Sequence, residues 1–296
     1  MSEKKTYRLS GGFFDREEEV AEAKRLFFLS VEGARTEPSY FTNLNRVLRD
    51  YGVGDVIIHV LKHSNDGLSS PEDVYSLLEE CIRLRERGEL LPVPVIDQLK
   101  QEFSDEDIMA LLEGKSDLPS EKVKRFYEIL LNLGINTDYR KFIATRPSSR
   151  DKFAVVIDRD CGNHSRECLE RVIAKCQENG YFCCLTNPCF EFWLLLHLVA
   201  ADVLSKPEEL SKIKANERLS RKHTYVSRRV SAEARHTKHI PERTFDKYYK
   251  DNLKLAMDAA STFATDEIEV LDQVGTTVPK LMKEIFNVEY VKLLSR

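Results

Sequence analysis

Glu32, Asp158 and Asp160 each follow on a short apolar run, Arg25–Val31 for the first and Phe153–Ile157 for the other two. Carboxylates brought together repel one another, so they either share protons or are joined by a cation. Oxygen donors of this hardness suit Mg2+ or Mn2+. Mg2+ keeps several waters and leaves positions for phosphate oxygens, the arrangement that metal-assisted cleavage of a phosphodiester requires. Asp158 and Asp160 stand two apart, so if strand geometry persists both side chains point to one side. The bland alternative makes these acids helix caps and solvated loop residues. D-x-D alone favours that alternative; a second acid at a second strand end makes the two readings even.

The elements that must position these acids are legible. Arg25–Val31 is apolar on both faces, as a buried parallel strand is. Glu32-Gly33 and then Thr36-Glu37-Pro38 read as a strand-to-helix turn, with Thr36 as N-cap and Pro38 in the first helical turn. Asp55–Leu61 is a second strand, His63-Ser64-Asn65-Asp66 a loop with a minor chance of touching substrate, and Ser70-Pro71 the start of another helix. Phe153–Ile157 and Tyr181–Leu185 are the third and fourth strands, with a helix between them that Gly180 stops. Thr186-Asn187-Pro188 turns into a strongly apolar helix. Strands alternating with helices give an α/β fold with a parallel sheet. The expected organisation is a polar leader at 1–24, a core at 25–84 and 148–204, a helical insertion at 85–147 and a helical region at 205–296.

Bulk composition limits the function. The chain has 296 residues and a formal net charge of −4, so any nucleic-acid surface must be a local patch. The seven cysteines form no C-x-x-C pair and match no common zinc spacing, which favours buried free thiols. No run of about 18 apolar residues exists and the N-terminus has no apolar core, so a cytoplasmic protein with no membrane span is expected.

The order of the motifs resembles the RloB/AbiLii-like proteins, a branch of the Toprim superfamily. Glu32-Gly33-Ala34-Arg35-Thr36-Glu37-Pro38-Ser39-Tyr40-Phe41 is similar to that family's E-G-x-x-T-E-x-x-Y-F, Asp158-Arg159-Asp160 to its D-x-D, and Thr186–His197 to its S-N-P-x-F-E-x-W-L-L-L-H. Tyr248-Tyr249-Lys250 is a weaker fourth match, to a late Y-x-K segment. Thr186 departs from the usual Ser but keeps the hydroxyl, and the 85–147 segment looks longer than the family's connection. The resemblance implies a Toprim-like sheet of about four strands with an acidic Mg2+ site. Glu32 would do acid/base work, and Asp158 and Asp160 would hold metal. It further implies a nuclease acting on DNA or RNA, tRNA included, in bacterial anti-phage or abortive-infection defence, beside an AAA/ABC-type ATPase. Homo-oligomerisation stays open. The alternative is a non-catalytic Toprim module that binds nucleic acid or the ATPase; a primase or topoisomerase is a weaker third, since no zinc ribbon or strand-passage domain is evident.

With that site in view, further residues become candidates. Glu191 is either a first-turn glutamate favoured by the helix dipole or another metal ligand. His197 reads as a structural histidine, and Trp193 as core. Arg35 meets a phosphate or a surface acid. From Ser211 to Lys250 twelve Lys/Arg stand against four Asp/Glu, with aromatic residues interleaved. Such a strip suits a phosphate backbone and unstacked bases, while a solvated helical face is the plain alternative. Arg221, Lys222, Arg228, Arg229, Lys247 and Tyr249 are its substrate-binding candidates, and Lys250 could stabilise charge on a scissile phosphate.

Overall fold

A computed structural model describes residues 25–61, 70–87, 91, 93–112, 116–132, 148–160 and 163–287; the leader 1–24, the loop of His63–Asp66 and Cys161 lie outside them. The first half runs β1 (Arg25–Val31), α1 (Thr36–Val47), β2 (Val56–Leu61), α2 (Pro71–Arg87), α3 (Val93–Leu99), α4 (Asp105–Leu112), α5 (Ser120–Asn132) and β3 (Lys152–Asp158). Then come α6 (Arg166–Asn179), β4 (Phe182–Asn187), α7 (Glu191–Leu196), α8 (Ala201–Leu204), α9 (Pro207–Ala215) and α10 (Tyr225–Ala234). The chain ends with α11 (Glu242–Phe245), a π-helical turn at Asp246–Lys250, α12 (Leu253–Ala260), α13 (Glu267–Asp272), β5 (Gly275–Thr276) and α14 (Val278–Phe286).

The fold is α/β. One sheet has the strand order β2-β1-β3-β4-β5, with the first four strands parallel and β5 antiparallel to β4. Its two faces follow the period of two along β1. Phe27, Leu29 and Val31 join the core under α1, α7 and the C-terminal helices, while Leu26 and Phe28 join the core under α2, α6 and α13. β1 has its successor β2 on one side and β3 on the other. The chain therefore changes direction across the sheet between β1 and β3, and at such a switch point the carboxyl ends of the strands open a ligand crevice. Val31 is in register with Val156, so Glu32 and Asp158 flank that crevice.

The insertion has its own apolar core, in which Leu99, Phe103, Ile108, Leu111, Phe126 and Leu130 meet. Its start lies later than position 84, because α2 continues to Arg87. Arg85 reaches Asp151, just before β3, at 2.6 Å with both side chains almost fully buried, and so joins the chain before the insertion to the chain after it. The region beyond 205 is not wholly helical. β5 extends the sheet, and the Thr186 and Thr276 hydroxyls meet at 2.8 Å beneath it. Among the described residues, no helix is long and apolar enough to cross a membrane. Cys81, Cys168, Cys176, Cys183 and Cys184 are buried and Cys189 is partly exposed, and none of them is in a disulfide among the described residues.

Candidate functional site

Four carboxylates from four elements converge at the switch point. Glu32 is the first residue past β1, and its N–H still donates to Val156 O at 3.0 Å, which fixes its backbone against β3. One of its carboxylate oxygens accepts the Asp158 N–H at 3.0 Å, and the other lies 2.8 Å from His164 Nε2. Asp158, the last residue of β3, accepts the Phe190 N–H at 2.8 Å. Glu191 follows at the start of α7 and accepts the Thr36 hydroxyl at 3.3 Å. Glu37, in the first turn of α1, is 4% exposed, and its carboxylate packs so closely under Gly33 that a Cβ there would lie 2.0 Å from Oε2.

The electrostatics record the crowding. Burial, and next the Glu191 charge, push the Glu37 carboxyl up to about 8, with Glu32 adding to the effect. Burial, followed by Glu32, Glu37 and Glu191, holds Asp158 well above the usual carboxylate range. The hydrogen bond to Glu32 raises the His164 imidazole, so this histidine favours its charged form beside the acids. Arg159 is fixed under the same loop, donating to Leu271 O at 2.8 Å and His164 O at 3.1 Å.

A family model described as RloB-like protein matches residues 27–285, a span that takes in the whole cluster. The chain belongs to the RloB-like family. Comparison with curated proteins and with solved structures gives no match.

In this RloB-like chain the fold brings together Glu32, Asp158 and Glu191 of the residues singled out in the sequence. Three others depart from expectation. Asp160 leaves the strand: its φ is +24°, its N–H donates to Pro188 O, and its carboxylate accepts Asn163 Nδ2 at 2.7 Å. The two-residue spacing therefore does not aim Asp158 and Asp160 alike, because β3 ends at Asp158. Lys250 pairs with Asp50 at 2.6 Å, just beyond the C-terminal end of α1. The cluster sits at the N-terminal end of that 12-residue helix, about 18 Å away at the rise of an α-helix. Tyr249 is 1% exposed, with its hydroxyl 2.5 Å from His236 Nε2, so it packs in the core and is not presented for stacking on bases. Thr36 is the first helical residue instead of the cap, which is Arg35.

The basic strip divides. Arg229 pairs with Glu209 and approaches Glu233. Arg221, Lys222, Arg228 and Lys247 are exposed, as is Arg35, and Lys247 lies over the Tyr248 ring. Two other residues of the 211–250 segment approach the cluster. Asn216 Nδ2 contacts Cys189 Sγ at 3.6 Å, and that thiol feels the Glu191 and Asp158 charges. His236 also feels Glu191. His197 is buried as expected: its Nδ1 meets Trp193 O and its Nε2 meets the Tyr40 hydroxyl.

Sequence reasoning did not assign roles to Glu37, His164 or Arg159. Glu37 is signalled by its place in the E-G-x-x-T-E segment; nothing in the sequence marks His164 as a partner of Glu32. As the side chains stand, no three His, Cys, Asp or Glu groups among the described residues are gathered as metal ligands, and the carboxylates bond to protein donors. The donor set itself fits a hard divalent cation: it is all oxygen, and burial together with mutual repulsion already pushes two members towards protonation. Gly33→Ala tests the place of Glu37 in it. The added methyl would displace the Glu37 carboxylate, and the expected outcome is Mn2+ binding weakened by about tenfold, ~1.4 kcal/mol, in a calorimetric titration. Unchanged affinity would remove Glu37 from the ligand set.

Proposed function

We propose that this RloB-like chain is a nuclease that uses Mg2+ or Mn2+ to cleave phosphodiester bonds in DNA or RNA, and that it acts in bacterial defence against phage. The observation that carries this reading is the convergence of Glu32, Glu37, Asp158 and Glu191 at the switch point of the sheet. The exposed basic residues Arg35, Arg221, Lys222, Arg228 and Lys247 support it, because such residues hold a phosphate backbone that an acidic centre alone would repel.

Asp158, Glu191 and Glu37 would hold the cation together with Glu32. When bound, the cation neutralises charge on the phosphate and acidifies water. The residues of the chain do the rest. The Phe190 N–H fixes one Asp158 oxygen and leaves the other to face the crevice. The Asp158 N–H and His164 orient the Glu32 carboxylate, which is placed to accept a proton from an attacking water. His164, charged beside it, offsets the Glu32 carboxylate until that proton arrives. Arg159 braces the loop that carries His164, and the exposed Arg35, in the turn between β1 and α1, would meet the substrate phosphate. An AAA/ABC-type ATPase is the partner that the family resemblance suggests, and it belongs in the assay.

The test is incubation of labelled DNA and RNA with the chain, alone and with an AAA/ABC-type ATPase, in Mg2+ or Mn2+. Cleavage by the unsubstituted chain and its loss in Glu32→Gln is the expected result. A second reading, a non-catalytic module, draws on the carboxylates being bonded to protein donors. It expects Glu32→Gln/Asp158→Asn to protect cells from phage as well as the unsubstituted chain does.

A further inference from the structure

Beside the acidic cluster lies a groove of about 500 Å3 between the start of α1 and the loop that leads into α11. Arg35, Ser39, Thr42, Asn43, His239 and Glu242 line it. The loop is fastened there: the Ile240 N–H donates to Ser39 Oγ at 3.1 Å, and Asn43 Nδ2 donates to Ile240 O at 2.9 Å. Asn43 is 5% exposed and spends its other amide hydrogen on Ser39 O. Its side-chain oxygen takes no hydrogen bond among the described residues and is not sealed from solvent, so it stands as an open acceptor on the wall of the groove. Across from it Arg35 is exposed and in no ion pair among the described residues. Arg35 falls between Glu32 and Glu37 in the chain, so the groove and the cluster share the turn from β1 into α1.

We propose that this groove binds one unpaired nucleotide of the substrate strand, its phosphate on Arg35 and a base amine or sugar hydroxyl donating to Asn43 Oδ1. The proposal rests on the reading of the chain as one that acts on nucleic acid and adds which form it takes. The volume falls within the roughly 300–1,000 Å3 of sites for small molecules, enough for a nucleotide and far too little for a duplex. A base inside a duplex keeps its edge paired, so it reaches a groove of this kind only when single-stranded or extruded. An open acceptor and a guanidinium on one groove match the two ends of a nucleotide, a hydrogen-bond donor and a phosphate. Thr42 is exposed on the rim and touches none of the cluster residues through a hydrogen bond, so a bulky side chain there fills the groove and leaves the acids in place.

The test is fluorescence anisotropy on the full chain in an Asp158→Asn background with Mg2+. The probes are labelled single-stranded DNA and RNA of roughly 12–16 nucleotides, and the same sequences fully paired. Single strands are expected to bind at least about tenfold tighter than duplex, and Thr42→Trp and Arg35→Ala each to weaken single-strand binding by about tenfold at an unchanged melting temperature. Binding of RNA alone would assign the Asn43 acceptor to a 2′-hydroxyl; binding of both would assign it to a base amine. Duplex bound as tightly as single strands, Thr42→Trp binding as the parent does, or no binding of any probe would each overturn the proposal. Cleavage by the chain with Asp158 intact is scored separately. Cutting with an ineffective Thr42→Trp sinks the groove and leaves the nuclease; groove-dependent binding with no cutting in either metal sinks the nuclease and leaves the groove.

Discussion

Asp158→Asn is expected to raise the melting temperature of the metal-free protein by a few degrees at pH 8 while removing metal-dependent cleavage. Burial and then three neighbouring glutamates hold the Asp158 carboxyl well above the usual range. A carboxyl raised in this way contributes stability that is full below its unfolded pKa and lost as pH rises through the folded one. At pH 8 Asp158 therefore weighs against folding. Asn has the same shape, carries no charge and can still accept the Phe190 N–H, so it keeps the packing and drops the repulsion. The same change deletes a cation ligand, and the rate of cleavage should fall on the order of 10³-fold or more, the scale for losing a preorganised charge-stabilising group. Divalent cation should then reverse the order of stability, because a ligand that binds only the folded state stabilises the chain that binds it. Thermal melts of both chains, with and without Mn2+, check this. A variant that melts below the parent in the absence of metal would show that the cluster is not under electrostatic strain.

Metal-free stability should also fall with pH in a way that Glu37→Gln removes. The Glu37 carboxyl moves from 4.5 when unfolded to about 8 in the fold. Its stabilising contribution is thus complete below pH 4.5 and disappears as pH rises to about 8. Linkage allows a slope of up to about 1.4 kcal/mol per pH unit for one proton, some of it shared with Asp158. His164, also raised, changes stability in the same direction. Chemical denaturation of the parent and of Glu37→Gln across this range should show the parent losing stability relative to the variant. Mn2+ should oppose the trend, because it competes with protons for the carboxylates and binds better as pH rises. A difference between the two chains that is flat with pH would mean that Glu37 does not hold a proton in the cluster.

The sheet was legible because β1, β3 and β4 are short runs buried on both faces, and a parallel sheet needs such runs. Glu32 and Asp158 could be placed because strand ends are where ligand crevices form. The errors have local causes. The parity argument for Asp160 assumed two more residues of strand, but the chain hooks over the turn after β4, with Arg159 N–H on Thr186 O and Asp160 N–H on Pro188 O. Lys250 and Tyr249 sit in a π-helical turn, whose wider step turns Tyr249 into the core and Lys250 towards Asp50. β5 is two residues long and depends on threonine hydroxyls far away in sequence, so no local pattern announces it. His164 reaches Glu32 only because the loop after β3 folds back, with Arg159 fastened to that loop.

The nuclease reading turns on whether the acidic cluster takes a divalent cation. Electron paramagnetic resonance of Mn2+ titrated into the parent and into Asp158→Asn at pH 8 asks that directly. The account expects saturable binding by the parent that weakens at least about tenfold in the variant. Identical isotherms, or no bound Mn2+ in the parent, would contradict it.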